Sequence, residues 1–306
     1  MSPPAIEPSQ NRLGITYMLI AMVAFILNDT LVKVASEHLP TGQIIFVRGL
    51  IVSPIVVTLA WWRGGFVNLR ILRHRTLVWR TIGEITATSL YLTALFRMPL
   101  ANASAILQVV PLATTAGAAI FLGEKVGIRR WTAIVIGLTG ALLIVRPGFE
   151  GFNAWSLLAF LSVGAVAVRD LSSKQLPRGL PTLAVTAVSA VAVGLFGGVM
   201  MLFEETVTPS AHDLMILVVA GFCCILGYIF IIAAMRTGEI SVVAPFRYSL
   251  MVYAVILQIA VFGQWPDAFL LLGTFILVGT GIYTFYRERR VGAREATRSL
   301  GAPPPK

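Results

Sequence analysis

The chain has 306 residues, of which 57% are hydrophobic and 12% charged, and its mean hydropathy is +0.84. So few polar residues cannot cover a soluble globule of this length, which excludes a soluble enzyme or binding domain and marks an integral membrane protein. The net charge of +10 would point to nucleic acid only if the basic residues shared one soluble face, so their placement is read together with the spans.

Ten apolar blocks follow one another at 13–35, 42–62, 80–97, 101–122, 130–146, 153–172, 181–203, 213–235, 240–262 and 267–286. They run for roughly 18 to 24 residues, enough at about 1.5 Å per residue to cross about 30 Å of hydrocarbon, and they lack the alternation of a barrel strand. The opening MSPPAIEPSQNR is polar and proline-rich, and the first block is long enough to span, so no cleavable signal is expected. With the N-terminus placed inside, one flank collects Arg12, Arg63, Arg70, Arg73, Arg75, Arg80, Lys125, Arg129, Arg130, Lys174, Arg178, Arg236 and the run from Arg287 to Lys306. The other holds Arg97 and Arg146 beside Glu37, Glu150, Glu204, Glu205, Asp213 and Asp267. That bias places both termini in the cytoplasm and accounts for the basic balance without nucleic acid.

The second five blocks repeat the first five about 140 residues later. Asp29 and Lys33 recur as Asp170 and Lys174, Arg97 as Arg236, and Leu122-Gly123-Glu124 as Phe262-Gly263-Gln264. Five is odd, so the second repeat enters from the opposite side and the halves are inverted. The fold expected is an all-α membrane protein of ten transmembrane helices in two inverted five-helix repeats, 13–146 and 153–286. Cytoplasmic tails take up 1–12 and 287–306, and the seam falls at Arg146-Pro147-Gly148. Asp29 with Lys33, and Asp170 with Lys174, are spaced i,i+4 on one helix face, so a similar charged pair is expected at each mouth of a central cavity.

An ionisable residue in lipid costs a few kcal/mol on insertion scales, so those that remain are paired, face a wet cavity or serve function. For Asp29 and Asp170 two readings stand: a gate pair or proton-binding carboxylate, or a helix-end salt bridge fixing tilt. Asn28 extends the polar face of Asp29. Arg48 either snorkels outward or turns in toward Asp29. Glu84 lies near Arg80, as an interfacial pair or a cavity group, and Arg169 and Lys174 read as boundary anchors. Arg247 follows Pro245, which leaves a carbonyl without its helical donor and kinks the ninth span. Its planar fork suits a carboxylate, phosphate or ring carbonyl; pairing with Asp29 or Glu84 is the structural alternative. Tyr248, Tyr91 and Tyr228 either stack on a planar ligand or pack. Gln108 and Pro111, in the fourth span, occupy roughly the repeat-mate positions of Arg247 and its surroundings, and their polarity and helix-breaking character fit a cavity lining. Small residues at Gly137, Gly140, Gly279 and Gly281 allow close helix approach.

Enzyme signals are missing. No Walker loop is present; His38, His74 and His212 lack ligand or triad spacing; the adjacent Cys223 and Cys224 favour neither a disulfide framework nor a metal site. No cofactor, metal or catalytic residue is expected.

These residues resemble the drug/metabolite transporter superfamily with two EamA-type repeats over about 13–287. The stretches are LNDTLVK, FVRG at 46–49, VVPLATTAGAAIFLGEKV at 109–126, VRDLSSK at 168–174 and VVAPFRYSLMVYAVILQIAVFGQWPD at 242–267. The Asn-Asp-x-x-x-Lys opening and the Ala-Pro-Phe-Arg-Tyr block are similar to the branch with bacterial riboflavin and S-adenosylmethionine importers. Gln264 departs from the family, which more often has an acidic residue there, as Glu124 in the first repeat. The resemblance implies alternating access around a central cavity in the bacterial cytoplasmic (inner) membrane. The expected activity is secondary transport of a small organic metabolite, riboflavin-like or S-adenosylmethionine-like uptake first and export of amino acids or drugs second. A membrane-embedded enzyme or a non-transporting partner subunit is the reading from another class. Expected partners are the solute and the bilayer; a coupling proton and a homodimer stay open.

Overall fold

Every regular element among the described residues is helical. The computed structural model describes residues 8–63, 74–124, 126–146, 153–177 and 180–301. The first seven residues, the basic loop with Arg70 and Arg73, Lys125, the seam at Pro147-Gly148, Glu150 and Arg178 lie outside the described residues.

Eight helical stretches are long and apolar enough to cross a membrane, and a shorter apolar stretch covers Ala268–Thr284. They belong to α1 (Pro8–Ala35), α2 (Thr41–Trp62), α4 (Leu100–Leu107) with α5 (Val110–Phe121), α6 (Ile128–Val145), α7 (Trp155–Lys174), α8 (Thr182–Met201), α9 (Ala211–Thr237), and a 3-10 turn (Ala244–Tyr248) with α11 (Ser249–Phe262). The short α10 (Ile240–Val243) precedes that turn, and α12 (Ala268–Gly301) contains the shorter stretch. The chain is an integral membrane protein. α3 (Arg75–Arg97) is not among the eight; it carries Arg80, Glu84 and Arg97.

Several boundaries differ from the sequence expectation for local reasons. α1 begins at Pro8, inside the expected tail, because proline is tolerated in a first turn, where its missing N–H has no partner to lose. α3 begins five residues early because His74 caps it, its Nδ1 accepting from the Thr76 N–H at 3.4 Å. α12 continues through much of the expected C-terminal tail to Gly301; that stretch has no proline until Pro303, and its Glu, Arg and Ala favour helix. The fourth span is two helices, not one. Pro111 sits in the first turn of α5 and cannot donate to the Leu107 carbonyl, so the helix parts at Gln108-Val109. The ninth span breaks too, around Pro245, as expected.

The closest helix pairs are α1 with α9, α2 with α8, α3 with α7 and α6 with α12. Exchanging each span for its counterpart in the other half returns the same set, because α1–α9 becomes α7–α3 while α2–α8 and α6–α12 map onto themselves. The repeat also shows in the caps. Gly123 and Gly263 are both left-handed, at φ 68° and 64°. The Glu124 N–H closes on the Ala118 carbonyl at 3.2 Å as the Gln264 N–H closes on that of Gln258 at 3.3 Å, so two distant helices end in the same way.

Backbones meet where side chains are absent. A Cβ on Gly49 would lie 2.6 Å from the Gly194 Cα, and one on Gly140 would lie 2.9 Å from the Gly273 carbonyl oxygen, which sets the α2–α8 and α6–α12 approach. Gly281 makes room for the Tyr248 ring, whereas Gly279 faces open space and brings no helix close. Packing is unequal along the bundle. The fully buried Val32, Ile44, Leu95, Leu100, Leu217 and Leu270 gather at the end of the molecule that holds Lys33. The opposite end, which holds Lys174, encloses a cavity.

Candidate functional site

Non-helical backbone at membrane depth persists only where protein or a wet cavity receives it. The break in the fourth span and the turn in the ninth both border one cavity of about 620 Å³, lined by both halves of the chain. α1 gives Met22, Phe25 and Asp29; α3 gives Tyr91; α4 and α5 give Ser104, Thr114 and Thr115; α7 gives Arg169 and Asp170; Gln108 and Arg247 come from the breaks themselves. The cavity reaches Glu124 and Lys174, whose side chains are both half exposed and 3.3 Å apart. It therefore opens at the Lys174 end.

At its closed end Asp29 accepts from the Tyr91 hydroxyl at 2.8 Å and from the Asn28 amide at 2.9 Å. Arg48 turns inward and donates to the Asn28 oxygen at 3.4 Å, so of its two expected orientations the inward one is found, reaching Asp29 through Asn28. Lys33 does not pair with Asp29. Its Nζ donates to the carbonyls of Leu95 and Met98 at 2.6 and 2.7 Å and lies 5.5 Å from the centre of the Phe262 ring. Pro99 follows Leu95 by four residues and has no N–H, so that carbonyl is orphaned and draws the ammonium away from its helix neighbour. Asp170 and Lys174 likewise part, Asp170 to Arg169 at 2.8 Å and Lys174 to Glu124.

The wall of α3 and α7 carries a four-residue charge cluster. Arg169 pairs with Glu84 at 3.3 Å and with Asp170, and Arg80 sits 3.8 Å from Glu84 while donating to Ser173 and Ser189. Arg169 is thus the hub of the cluster, and Glu84 pairs with Arg80 as expected. It is not a lining residue. Tyr228 is half exposed and meets Phe25 edge-on at 5.2 Å. Tyr248 is buried against α12 and leaves the cavity wall to its neighbour.

Two donors on that wall stand open. Arg247 is exposed to the cavity, and its guanidinium has neither ion pair nor hydrogen bond among the described residues, so the expected alternative of a pair with Asp29 or Glu84 is not formed. The buried Nε2 of Gln108 has no partner either. In the register that sets Arg97 on Arg236, Gln108 falls on Arg247. Such donors in a low-dielectric cavity favour a solute that brings acceptors.

A second cavity of about 400 Å³ lies at the Lys33 end, lined by Met98, Asn102, Arg146, Gln258 and Asp267 among others. Arg146 is left-handed at the C-cap of α6, held by an ion pair with Asp267 and 4.3 Å from the Phe269 ring centre. On the wall of this second cavity, Gln258 accepts from the Ala101 N–H at 2.7 Å and donates to the Gln264 carbonyl at 3.4 Å. Sequence reading missed Ser104, Thr114 and Thr115, whose hydroxyls carry no charge. Thr114 and Thr115 spend theirs on Val110 and Pro111 of their own helix, so nothing in the sequence sets them apart. Among the described residues no group of three or more His, Cys, Asp or Glu could hold a metal ion.

The EamA-like transporter family matches this chain at residues 12–146 and 153–286. An S-adenosylmethionine uptake transporter of Rickettsia felis is 23% identical over 282 residues, 92% of this chain and 95% of that protein. A riboflavin transporter of Vibrio cholerae is 26% identical over 291 residues, 92% of this chain and 96% of its own. A pseudopaline exporter of Pseudomonas aeruginosa is 25% identical over 272 residues, covering 87% and 93%. One solved crystal structure superposes with a TM-score of 0.60 at 22% identity, over 90% of this chain and 98% of that one, which is a likeness of fold alone.

Proposed function

We propose, given that the chain belongs to the EamA-like transporter family, that it is a secondary transporter moving a small organic solute through the central cavity by alternating access. Ten spans in two inverted five-helix repeats, 13–146 and 153–286, form the bundle. The exchange symmetry of the helix pairs and the matching glycine caps support the inversion. The bias of basic residues supports cytoplasmic termini, with the Lys174 end inside, and the bacterial relatives support the inner membrane. The structure then corresponds to an inward-open state.

The observation that carries the substrate reading is the pair of open donors, Arg247 and Gln108, at repeat-mate positions on the wall of a cavity of about 620 Å³. That volume suits a drug-sized molecule. The solute class is one with carboxylate, phosphate or ring-carbonyl acceptors. Riboflavin-like or S-adenosylmethionine-like uptake is the first assignment, favoured by the relatives that carry those names. Export is the second reading, favoured by the pseudopaline exporter. Asp29 is held by two neutral donors that can persist when the carboxyl is protonated, which suits a coupling proton. A thermal-shift screen of the purified protein against flavins, adenosyl compounds, nucleosides and amino acids tests the reading, since a bound solute stabilises the native state. Stabilisation by an acceptor-bearing solute is expected. Stabilisation only by cations that lack acceptors would overturn it.

A further inference from the structure

The two repeat-mate lysines do opposite things. Lys33 is 9% exposed and its ammonium ties α1 to the carbonyls of Leu95 and Met98 at the end of α3. Lys174 is half exposed, borders the cavity mouth and, among the described residues, pairs with Glu124 across it. The helices behind them differ in the same sense. At the Lys33 end α4 packs on α11 and α1 touches α3 and α4. The counterpart of the α4–α11 packing, α10 on α5, is not built to a comparable extent among the described residues, and that is where the cavity opens.

Resting on the transport reading above, we propose that Lys33 and Lys174 are latches used in turn, each closing one end of the bundle by capping the frayed carboxyl end of a helix in its own repeat. With the Lys33 end shut, Lys33 holds α3. In the state with the Lys174 end shut, Lys33 is released and Lys174 takes the carbonyls of Ala234 and Thr237, which fall on Leu95 and Met98 in the register that sets Arg97 on Arg236.

The latches are unequal, and the cause is a single residue. At the Lys33 end the i+4 residue after Leu95 is Pro99, so the Leu95 carbonyl has no backbone donor and the lysine is its partner. At the Lys174 end the corresponding residue is Gly238, whose N–H already donates to the Ala234 carbonyl at 3.2 Å. Capping an orphaned carbonyl gains more than competing for a satisfied one. Gln258 adds a second fastening at the Lys33 end through the Ala101 N–H, and its repeat mate Ala118 has no side-chain hydrogen-bonding group to do the same. The protein therefore rests with the Lys33 end shut, as it stands here.

The test uses the full chain in membranes with Cys223 and Cys224 replaced by alanine, without added solute. One reporter cysteine replaces Asn102 in the outer cavity, and in a separate chain another replaces Thr115 in the inner one. Labelling by a small thiol reagent is timed. Lys33→Met removes the donor and keeps the length, so Asn102→Cys, which reports the minor state, should label roughly tenfold faster or more, the scale of one charged hydrogen bond lost from one of two states, and Thr115→Cys, which reports the resting majority state, should slow by a smaller factor. Lys174→Met should move both reporters the other way. Unchanged rates in both variants, or shifts in the same direction, would overturn the latches. If Lys33→Met does not reach the membrane, Lys174→Met decides alone. The readout needs no solute movement, so a protein that transports without these shifts sinks the latches and leaves the transport reading standing.

Discussion

Arg247→Lys keeps a positive charge on the cavity wall and removes the planar fork. The guanidinium meets the cavity with no ion pair or hydrogen bond among the described residues, so the folded protein has little to lose, and the melting temperature without solute should hold. A bound acceptor group would lose one of two parallel hydrogen bonds, since an ammonium is a point charge that cannot reproduce them. One charge-assisted bond is worth about 1.5–3 kcal/mol, or roughly ten- to a hundredfold in Kd. Calorimetric titration with riboflavin and with S-adenosylmethionine, on the wild type and on Arg247→Lys, measures it for whichever binds. Gln108→Leu should weaken the same ligand by a smaller factor, because its amide is neutral. An unchanged Kd together with a lower melting temperature would show that Arg247 holds helices together and does not touch the solute.

Asp29→Asn keeps the size and the acceptor for Tyr91, so the protein should remain folded in the membrane; if Asp29 carries the coupling proton, proteoliposomes should keep solute exchange and lose accumulation. Wild-type accumulation by the variant would make Asp29 structural. Glu84→Gln leaves Arg80 and Arg169 facing each other across a wall with one carboxylate fewer and should cost about 1–3 kcal/mol, seen as a lower melting temperature in detergent; an unchanged value would mean that water already serves the two guanidinium groups. In a background without native thiols, single cysteines replacing Glu37, Glu205 and Asp267 should react with an impermeant reagent from the periplasm, and one replacing Arg294 should be protected in intact cells. The reverse pattern would overturn the orientation and with it the assignment of inner and outer cavities.

What was legible in the sequence and what was not divides along a physical line. The repeat could be read because like residues recur about 140 positions apart, and Gly123 with Gly263 matches down to the backbone angle. The break at Pro245 was also visible, because proline disrupts a helix whatever surrounds it. The break at Gln108-Val109 was legible only in part: Pro111 has helix-breaking character, but it sits in the first turn of a new helix, where proline is compatible with a continuing apolar run. Side-chain pairing was the least legible part. The i,i+4 spacing of Asp29 and Lys33 allows a salt bridge, but the choice of partner belongs to tertiary structure, and an orphaned carbonyl more than sixty residues away wins. The i,i+4 spacing of Asp170 and Lys174 fails as well: Asp170 is taken by its sequence neighbour Arg169, and Lys174 by Glu124 from another helix end.

Solute counterflow in proteoliposomes of the purified chain tests the central claim most directly. Vesicles preloaded with an unlabelled solute that stabilises the protein in the thermal-shift screen should take up the labelled solute transiently above its external concentration, and protein-free vesicles should not. A solute that binds the folded, reconstituted protein and is not exchanged across the bilayer would contradict transport through the central cavity.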